Sequence, residues 1–214
     1  MVFELDSSLR FPDPVLADED GWLAIGGDLS ISRLLLAYQN GIFPWYSEGE
    51  PICWYSPHNR CVIFPDDIIV SASMKKLLLR NTFDIRTNTA FEEVINNCSK
   101  IIRSQQNGTW ISPDITKAYI SLYENGSAHS VEAWQHGELV GGLYGVVVNN
   151  VFCGESMFSK VSNASKAALI WLCREGGYVM IDCQLPNEHL LSMGAELIDR
   201  KKYMQILQAK TRNK

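Results

Sequence analysis

From Ala128 onward the apolar period changes to two, with turn signals at His136-Gly137 and Asn149-Asn150. Alternating runs separated by two-residue turns read as an antiparallel meander with strands at Ser130–Gln135, Glu138–Val148 and Val151–Phe158. The turn at 149–150 fixes a register that places Glu155 opposite Tyr144 and Met157 opposite Gly142, so that Glu155 and Met157 share one face. Gly141, Gly142, Gly145 and Gly154 strip side chains from this region. A strand tolerates such a loss where another group approaches closely or where a bulge forms.

The residues after the meander decide how its sheet continues. Ser162-Asn163 starts a helix whose stripe of Ala164, Ala167, Ala168, Trp171 and Leu172 is widened by Leu169 and Cys173, so the helix is largely buried. Gly176-Gly177 stops it, and Tyr178–Gln184 reads as a strand with Asp182 and Gln184 on one face, their Cα atoms about 7 Å apart. A helix between two strands of one sheet makes a crossover, which requires a mixed sheet with helices on both faces. Asp182 in a central strand is costly unless it is paired or used.

Upstream, Gly21–Gly27 reads as a short strand ended by glycines, followed by a helix capped by Asp28 or Ser30, carrying Leu34, Leu35 and Tyr38 inward and ending at Gly41. Ile68–Val70 and Phe83–Arg86 read as strands. Ser73 is placed as the cap of a helix with Lys75, Lys76 and Arg80 outward, and a further helix is expected from Thr89 to Arg103. Asn107-Gly108 breaks the chain before Ser112-Pro113-Asp114 begins another helix. Short elements close the sequence, with Tyr203, Ile206 and Leu207 inward on the last helix and basic residues Lys210, Arg212 and Lys214 at the end.

A length of 214 residues with 46% apolar content suits a globular chain with one large domain and a small companion, divided here as 1–60 and 61–214. The start lacks the features of a signal peptide, and no apolar run reaches the roughly 18 residues of a membrane span. Six scattered cysteines without CxxC spacing favour buried thiols in a reducing cytoplasm, and four histidines without ligand spacing give no metal site. A net charge of −5 argues against a nonspecific coat for nucleic acid but leaves room for a local basic patch such as Lys75, Lys76 and Arg80.

The stretch from Ile42 to Pro57 is rich in rings and prolines, which exclude a continuous helix or a central strand. Its aromatics either fill a seam between domains or offer a platform for a planar base.

The motifs Gly26–Leu29, Asn40–Trp45, Trp54–Pro57, Gly108–Ile111, Phe152–Ser159, Asn163–Lys166 and Ile181–Gln184 occur in one order across the chain. Together they resemble the bacterial leucyl/phenylalanyl-tRNA–protein transferases from about Phe11 to Tyr203. The order of elements is similar to the GCN5-related acyltransferase (GNAT) fold. The fold class expected is therefore α+β, a mixed and mostly antiparallel sheet flanked by helices, GNAT-like, with a small N-terminal α/β domain.

The resemblance implies transfer of leucine or phenylalanine from aminoacyl-tRNA to the N-terminal Arg or Lys of a protein, marking it for N-end rule degradation. Leu-tRNA, Phe-tRNA and acceptor proteins are the implied partners of a cytoplasmic monomer. The ester is already activated, so no cofactor and no ATP are implied, and neither GxxxxGK[ST] nor GxGxxG occurs. Asp182 is the expected holder of the attacking amine, with Gln184 beside it for orientation or oxyanion stabilisation and Glu155 for the acceptor's basic side chain. Carried over by position, the donor side-chain pocket is Leu143, Met157, Leu169, Leu172 and Ile181, and the same residues at these spacings suit an ordinary core. Trp45, Trp54 and Trp110 are the candidates to stack on adenine or frame the acceptor, and Lys75, Lys76 and Arg80 to meet acceptor-stem phosphates. Other readings are an acyl-CoA-dependent GNAT enzyme, a Cys153/His129 nucleophile, and a module that binds basic N-termini without catalysis.

Overall fold

A computed structural model describes residues 2–101 and 110–209. The break at Asn107-Gly108, residues 108 and 109 of the Gly108–Ile111 motif, the expected helix end at Arg103, and Lys210, Arg212 and Lys214 lie outside them. Strands β1 (Phe3–Leu5), β2 (Trp22–Gly26), β3 (Phe43–Pro44) and β4 (Cys53–Tyr55) form a small sheet in the order β1-β2-β4-β3. Helix α1 (Ile31–Gln39) follows β2 and is capped by Ser30, whose hydroxyl accepts from the Arg33 amide at 3.4 Å. It ends at Gly41, whose φ of +69° suits a residue without a side chain. A Cβ there would also lie 2.8 Å from the Met204 sulfur and 2.9 Å from the Tyr203 ring.

The remaining strands are β5 (Asn59–Ile63), β6 (Asp84–Thr87), β7 (Ala128–Gln135), β8 (Glu138–Val148), β9 (Val151–Ser159), β10 (Met180–Gln184) and β11 (Glu196–Asp199). They form one sheet in the order β11-β5-β10-β9-β8-β7-β6. Its pairs are antiparallel except β9 with β10, which are joined by the crossover helix α5 (Ala164–Glu175). The mixed, mostly antiparallel α+β architecture is thus as the order of elements requires.

Helices α3 (Phe91–Ser99) and α4 (Pro113–Glu124) pack with α1 on one face, in a core that contains Tyr144, Val146, Cys153 and Phe158. On the other face, α5 and α2 (Ala72–Leu79) cover Val131, Leu143, Phe152 and Ile181. Helix α5 comes close at Gly141, where a Cβ would lie 2.4 Å from that of Ala164, while at Gly142 and Gly145 a Cβ would meet the neighbouring strands, at the Val131 and Cys153 carbonyls. Two short helices close the chain, α6 (Glu188–Ser192) and α7 (Arg200–Leu207), the latter turning Tyr203 and Leu207 inward.

Five local expectations change. The ring- and proline-rich stretch does hold a central strand, since β4 pairs with both β2 and β3 while Pro51 and Pro57 lie outside it. Ile68–Val70 is not a strand, because Pro65–Asp67 forms a 3-10 turn and the segment after it is held by the Ile69 amide donating to Met193. The cap of α2 is Ser71 rather than Ser73. Strand β5, unforeseen, occupies an interior position of the large sheet, since Pro57 and Pro65 bracket Asn59–Ile63 instead of interrupting it. Finally, β9 carries a bulge: Gly154 faces Gly145 but Ser156 faces Tyr144, which leaves Glu155 as the extra residue, and Met157 lies opposite Leu143. Glu155 and Met157 therefore point to opposite faces, Met157 toward α5 and Glu155 toward α1 and α4.

Candidate active site

The pairing of β9 with β10 stops at Cys153 and Asp182. Beyond that point both strands become irregular. Glu155 is bulged, and Gln184 adopts φ +54° next to a register shift against β5. Such conformations cost free energy in a residue with a side chain and persist where surrounding contacts over-determine them. Here they turn two side chains toward each other, and the Gln184 side-chain amide donates to Glu155 Oε1 at 3.1 Å.

Two hydroxyls complete the surroundings of Glu155. The Tyr38 hydroxyl of α1 lies 2.7 Å from Oε1 and the Tyr119 hydroxyl of α4 3.1 Å from Oε2, and the two hydroxyls also touch; with one proton on each phenol, two of these three contacts take a phenolic proton at a time. Part of the residue's surface reaches solvent, while its carboxylate is desolvated. Burial raises its pKa from 4.5 to about 7, the tyrosine hydrogen bonds oppose that rise, and negative Asp182 adds to it. Neutral donors surround Glu155, so the field of the site leaves it able to hold or release a proton near neutral pH.

Asp182 is placed differently. It has no exposed surface, and Arg60 of β5 grips it with two bonds of 2.8 Å, from Nε to Oδ1 and from Nη2 to Oδ2. Tyr203 donates to Oδ2 at 2.9 Å and the Gln184 backbone amide to Oδ1 at 2.9 Å. Arg60 is itself 2% exposed; its Nη1 donates to the Gly41 carbonyl at 3.2 Å, and the rings of Phe43 and Tyr203 each lie 4.7 Å from the guanidinium carbon. The Gln184 side chain does reach the Asp182 side of the sheet, through its left-handed turn at the register shift and not by simple alternation. With both oxygens committed and no surface, however, Asp182 has no place for an incoming amine.

The other anticipated residues divide as follows. Leu143, Leu169, Leu172 and Ile181 are at most 3% exposed and meet Met157 in the α5-side core, with Met157 half-buried beside them. Trp54 is fully buried and donates its indole N–H to the Gly26 carbonyl at 2.9 Å, so it is a core ring and not a stacking surface. Trp45 is 37% exposed, edge-on to Tyr55, and Trp110 is half-buried against the same core. Lys75, Lys76 and Arg80 are exposed on and just beyond α2. A cleft of about 790 Å³ opens beside α4, with Tyr46, Glu48, Glu50, Asp114 and Lys117 in its walls.

The Cys153/His129 pairing does not hold. Cys153 is fully buried with its thiol pushed well up, by burial first and by Asp182 next, whereas a nucleophile needs a thiolate. His129 bonds Asn88 through Nδ1.

Sequence reasoning missed Tyr38, Tyr119, Arg60 and Tyr203. Each tyrosine stands on an apolar helix stripe, where a buried hydroxyl demands a partner. Arg60 stands at the head of the apolar run Cys61–Phe64, where a buried cation demands a carboxylate.

The model of the family described as leucyl/phenylalanyl-tRNA protein transferase matches residues 62–208, and that of its N-terminal domain residues 27–58. The chain belongs to this family. Its relatives in the family include the leucyl/phenylalanyl-tRNA–protein transferase of Flavobacterium johnsoniae, 52% identical over 98% of this chain and 100% of that one. The transferase of Syntrophobacter fumaroxidans is 49% identical over 96% of this chain and 89% of its own. Solved structures that resemble the chain include a GCN5-related N-acetyltransferase from Kribbella flavida, at 10% identity and a TM-score of 0.39 over 84% of this chain and 68% of that one. A conserved protein of unknown function from Bacteroides thetaiotaomicron reaches a TM-score of 0.46 at 14% identity, over 72% of this chain and 56% of that one. Among the described residues, no helix is long and apolar enough to cross a membrane.

Proposed function

We propose that this transferase moves leucine or phenylalanine from the 3′ end of a tRNA to the α-amine of a protein beginning with Arg or Lys. The observation that carries the mechanism is the pair Glu155–Gln184, a desolvated carboxylate with a pKa of about 7 joined to an amide at the point where two parallel strands part. The reaction forms a C–N bond at the ester carbonyl and breaks the C–O bond to the ribose. Gln184, whose NH₂ is committed to Glu155, has its amide oxygen left to accept from the incoming amine and orient it. Glu155 as carboxylate takes the proton lost by the amine and returns it to the departing ribose oxygen.

An α-amine with a pKa of about 7.7–8.0 is partly neutral near neutral pH, so positioning contributes more than ground-state deprotonation. Because Met157 lies on the opposite face of the sheet from Glu155, the donor side chain passes between β9 and β10 where they part and meets the α5-side cluster at Met157, whose flexible thioether suits both leucine and phenylalanine. Trp45 and Trp110 serve the terminal adenine, and Lys75, Lys76 and Arg80 the phosphates of the acceptor stem. The acidic walls of the cleft beside α4 favour an acceptor peptide over RNA there.

Labelled leucyl-tRNA incubated with peptides beginning in Arg, Lys or Ala tests this reading. Leucine is expected on the first two and not on the third. No transfer to any peptide, or consumption of acetyl-CoA in its place, overturns it; peptide binding without chemistry establishes the non-catalytic module.

A further inference from the structure

Arg60 has no place in the mechanism above, yet it is the most enclosed cation near the reacting groups. Its guanidinium lies between the Phe43 and Tyr203 rings, bonds the Gly41 carbonyl, and closes a bidentate pair on Asp182. Asp182 in turn accepts from the backbone amide of Gln184, the residue with φ +54°. A left-handed conformation in a glutamine needs constraint: the Leu185 amide closes a tight turn across Gln184 onto the Cys183 carbonyl at 2.7 Å, and the Asp182 carboxylate anchors that turn to the sheet through the Gln184 amide.

We propose that Arg60 is a positioning residue: held between two rings, it fixes Asp182, and through Asp182 the turn that delivers the Gln184 side chain to Glu155. The chain of contacts begins at Gly41, in the turn after α1, and at Phe43 of the small sheet, two residues before Trp45, and ends at the amine-contacting pair. Arg60 thus ties the surface assigned to the tRNA end to the residues assigned to the amine, and this role rests on the transfer reaction proposed above. A lysine does not replace it, because an ammonium supplies neither the planar fork nor the stacked plane.

The test uses the full chain with Arg60→Lys, Arg60→Met, Asp182→Asn, Tyr203→Phe and the Arg60→Met/Asp182→Asn pair. Arg60→Lys is expected to lower kcat by about tenfold to a hundredfold, the scale of a small misplacement of reacting groups, with KM for aminoacyl-tRNA held within about twofold. The groups facing Glu155 are Tyr38 of α1, Tyr119 of α4, Asp182 and Gln184 of β10 and Arg60 of β5, with Cys153 and Tyr203 against Asp182. Removing the cation therefore moves the acid limb of kcat to higher pH in Arg60→Met, and removing the anion moves it to lower pH in Asp182→Asn. The double variant is no slower than the slower single one, since both act along one path.

An Arg60→Lys enzyme with wild-type kcat overturns the proposal. So do additive losses in the double variant, or a loss that follows the folded fraction by circular dichroism with both limbs unmoved. Where Arg60→Met does not fold, Arg60→Lys and Tyr203→Phe carry the same comparison. The NMR resonance of the Gln184 side-chain amide, recorded without substrate, is expected to shift in Arg60→Lys; an unchanged resonance also overturns the role. If the wild-type protein transfers nothing, the transfer reaction fails, and the resonance still decides what Arg60 positions.

Discussion

Two carboxylates on the same face of the sheet meet opposite fates. Asp182 is closed off by a guanidinium, a phenol and a backbone amide. Glu155, one strand away, is met by two phenols and a side-chain amide, none of which carries a positive charge. Both are removed from water, and the difference is the counter-ion. A buried carboxylate gripped by a cation is locked in place and becomes part of the framework, while Glu155, met by neutral donors and with a pKa of about 7, is left poised between its two protonation states. One niche holds a shape and the other holds a proton.

The comparison breaks first at the rate. Glu155→Gln is expected to lower kcat for transfer by about a hundredfold or more, the range of a lost general base. Any acid limb that remains belongs to the acceptor's amine, whereas the wild-type limb includes the ionisation near pH 7. Equal transfer by wild type and variant across pH 6–9 removes Glu155 from the chemistry.

Stability separates the two niches by sign. Asp182→Asn leaves Arg60 buried without its partner and is expected to cost about 3–5 kcal/mol in denaturant unfolding at pH 8. Glu155→Gln goes the other way. With a folded pKa of about 7 against 4.5, the unfolded chain gives up this proton first. Native stability therefore falls as pH rises between those values and stays lowered above pH 7. Removing the carboxylate restores about 2 kcal/mol at pH 8, after discounting a weaker bond to one tyrosine. Destabilisation by both substitutions would mean that Glu155 is also framework.

A finer effect tests the phenols. Tyr38→Phe or Tyr119→Phe withdraws a hydrogen bond that holds the Glu155 pKa down, so the acid limb of kcat is expected to move up by about one unit or less. The smallest effect on the site is remote. Reversing Lys75, Lys76 and Arg80 is expected to weaken aminoacyl-tRNA binding with a flatter salt dependence while the pH profile stays as it was. Binding unchanged across salt would remove α2 from the RNA surface.

Much of the architecture was legible in periodicity. The alternation at 128–158, its two turns, and the buried helix before Tyr178–Gln184 gave the antiparallel meander and its parallel crossover, because these signals are local and strong. Strand β5 was not legible, because prolines at 57 and 65 looked like interruptions until the structure showed a strand fitted between them. The register at Glu155 was misread for a related reason: period-two counting has no symbol for a bulge.

The sequence by itself determined which residue types face one another across the sheet and which family the motifs resemble, since short-range spacing and motif order are written in the chain. Only the tertiary structure decided what each carboxylate does. The partners of Glu155 come from α1 and α4, and those of Asp182 from β5 and α7, 36 to 122 positions away except for Tyr203 at 21 and for Gln184, at 29 from Glu155 and 2 from Asp182. A pKa is set by the charge and burial that such distant segments bring together, and no local pattern records which of them will arrive.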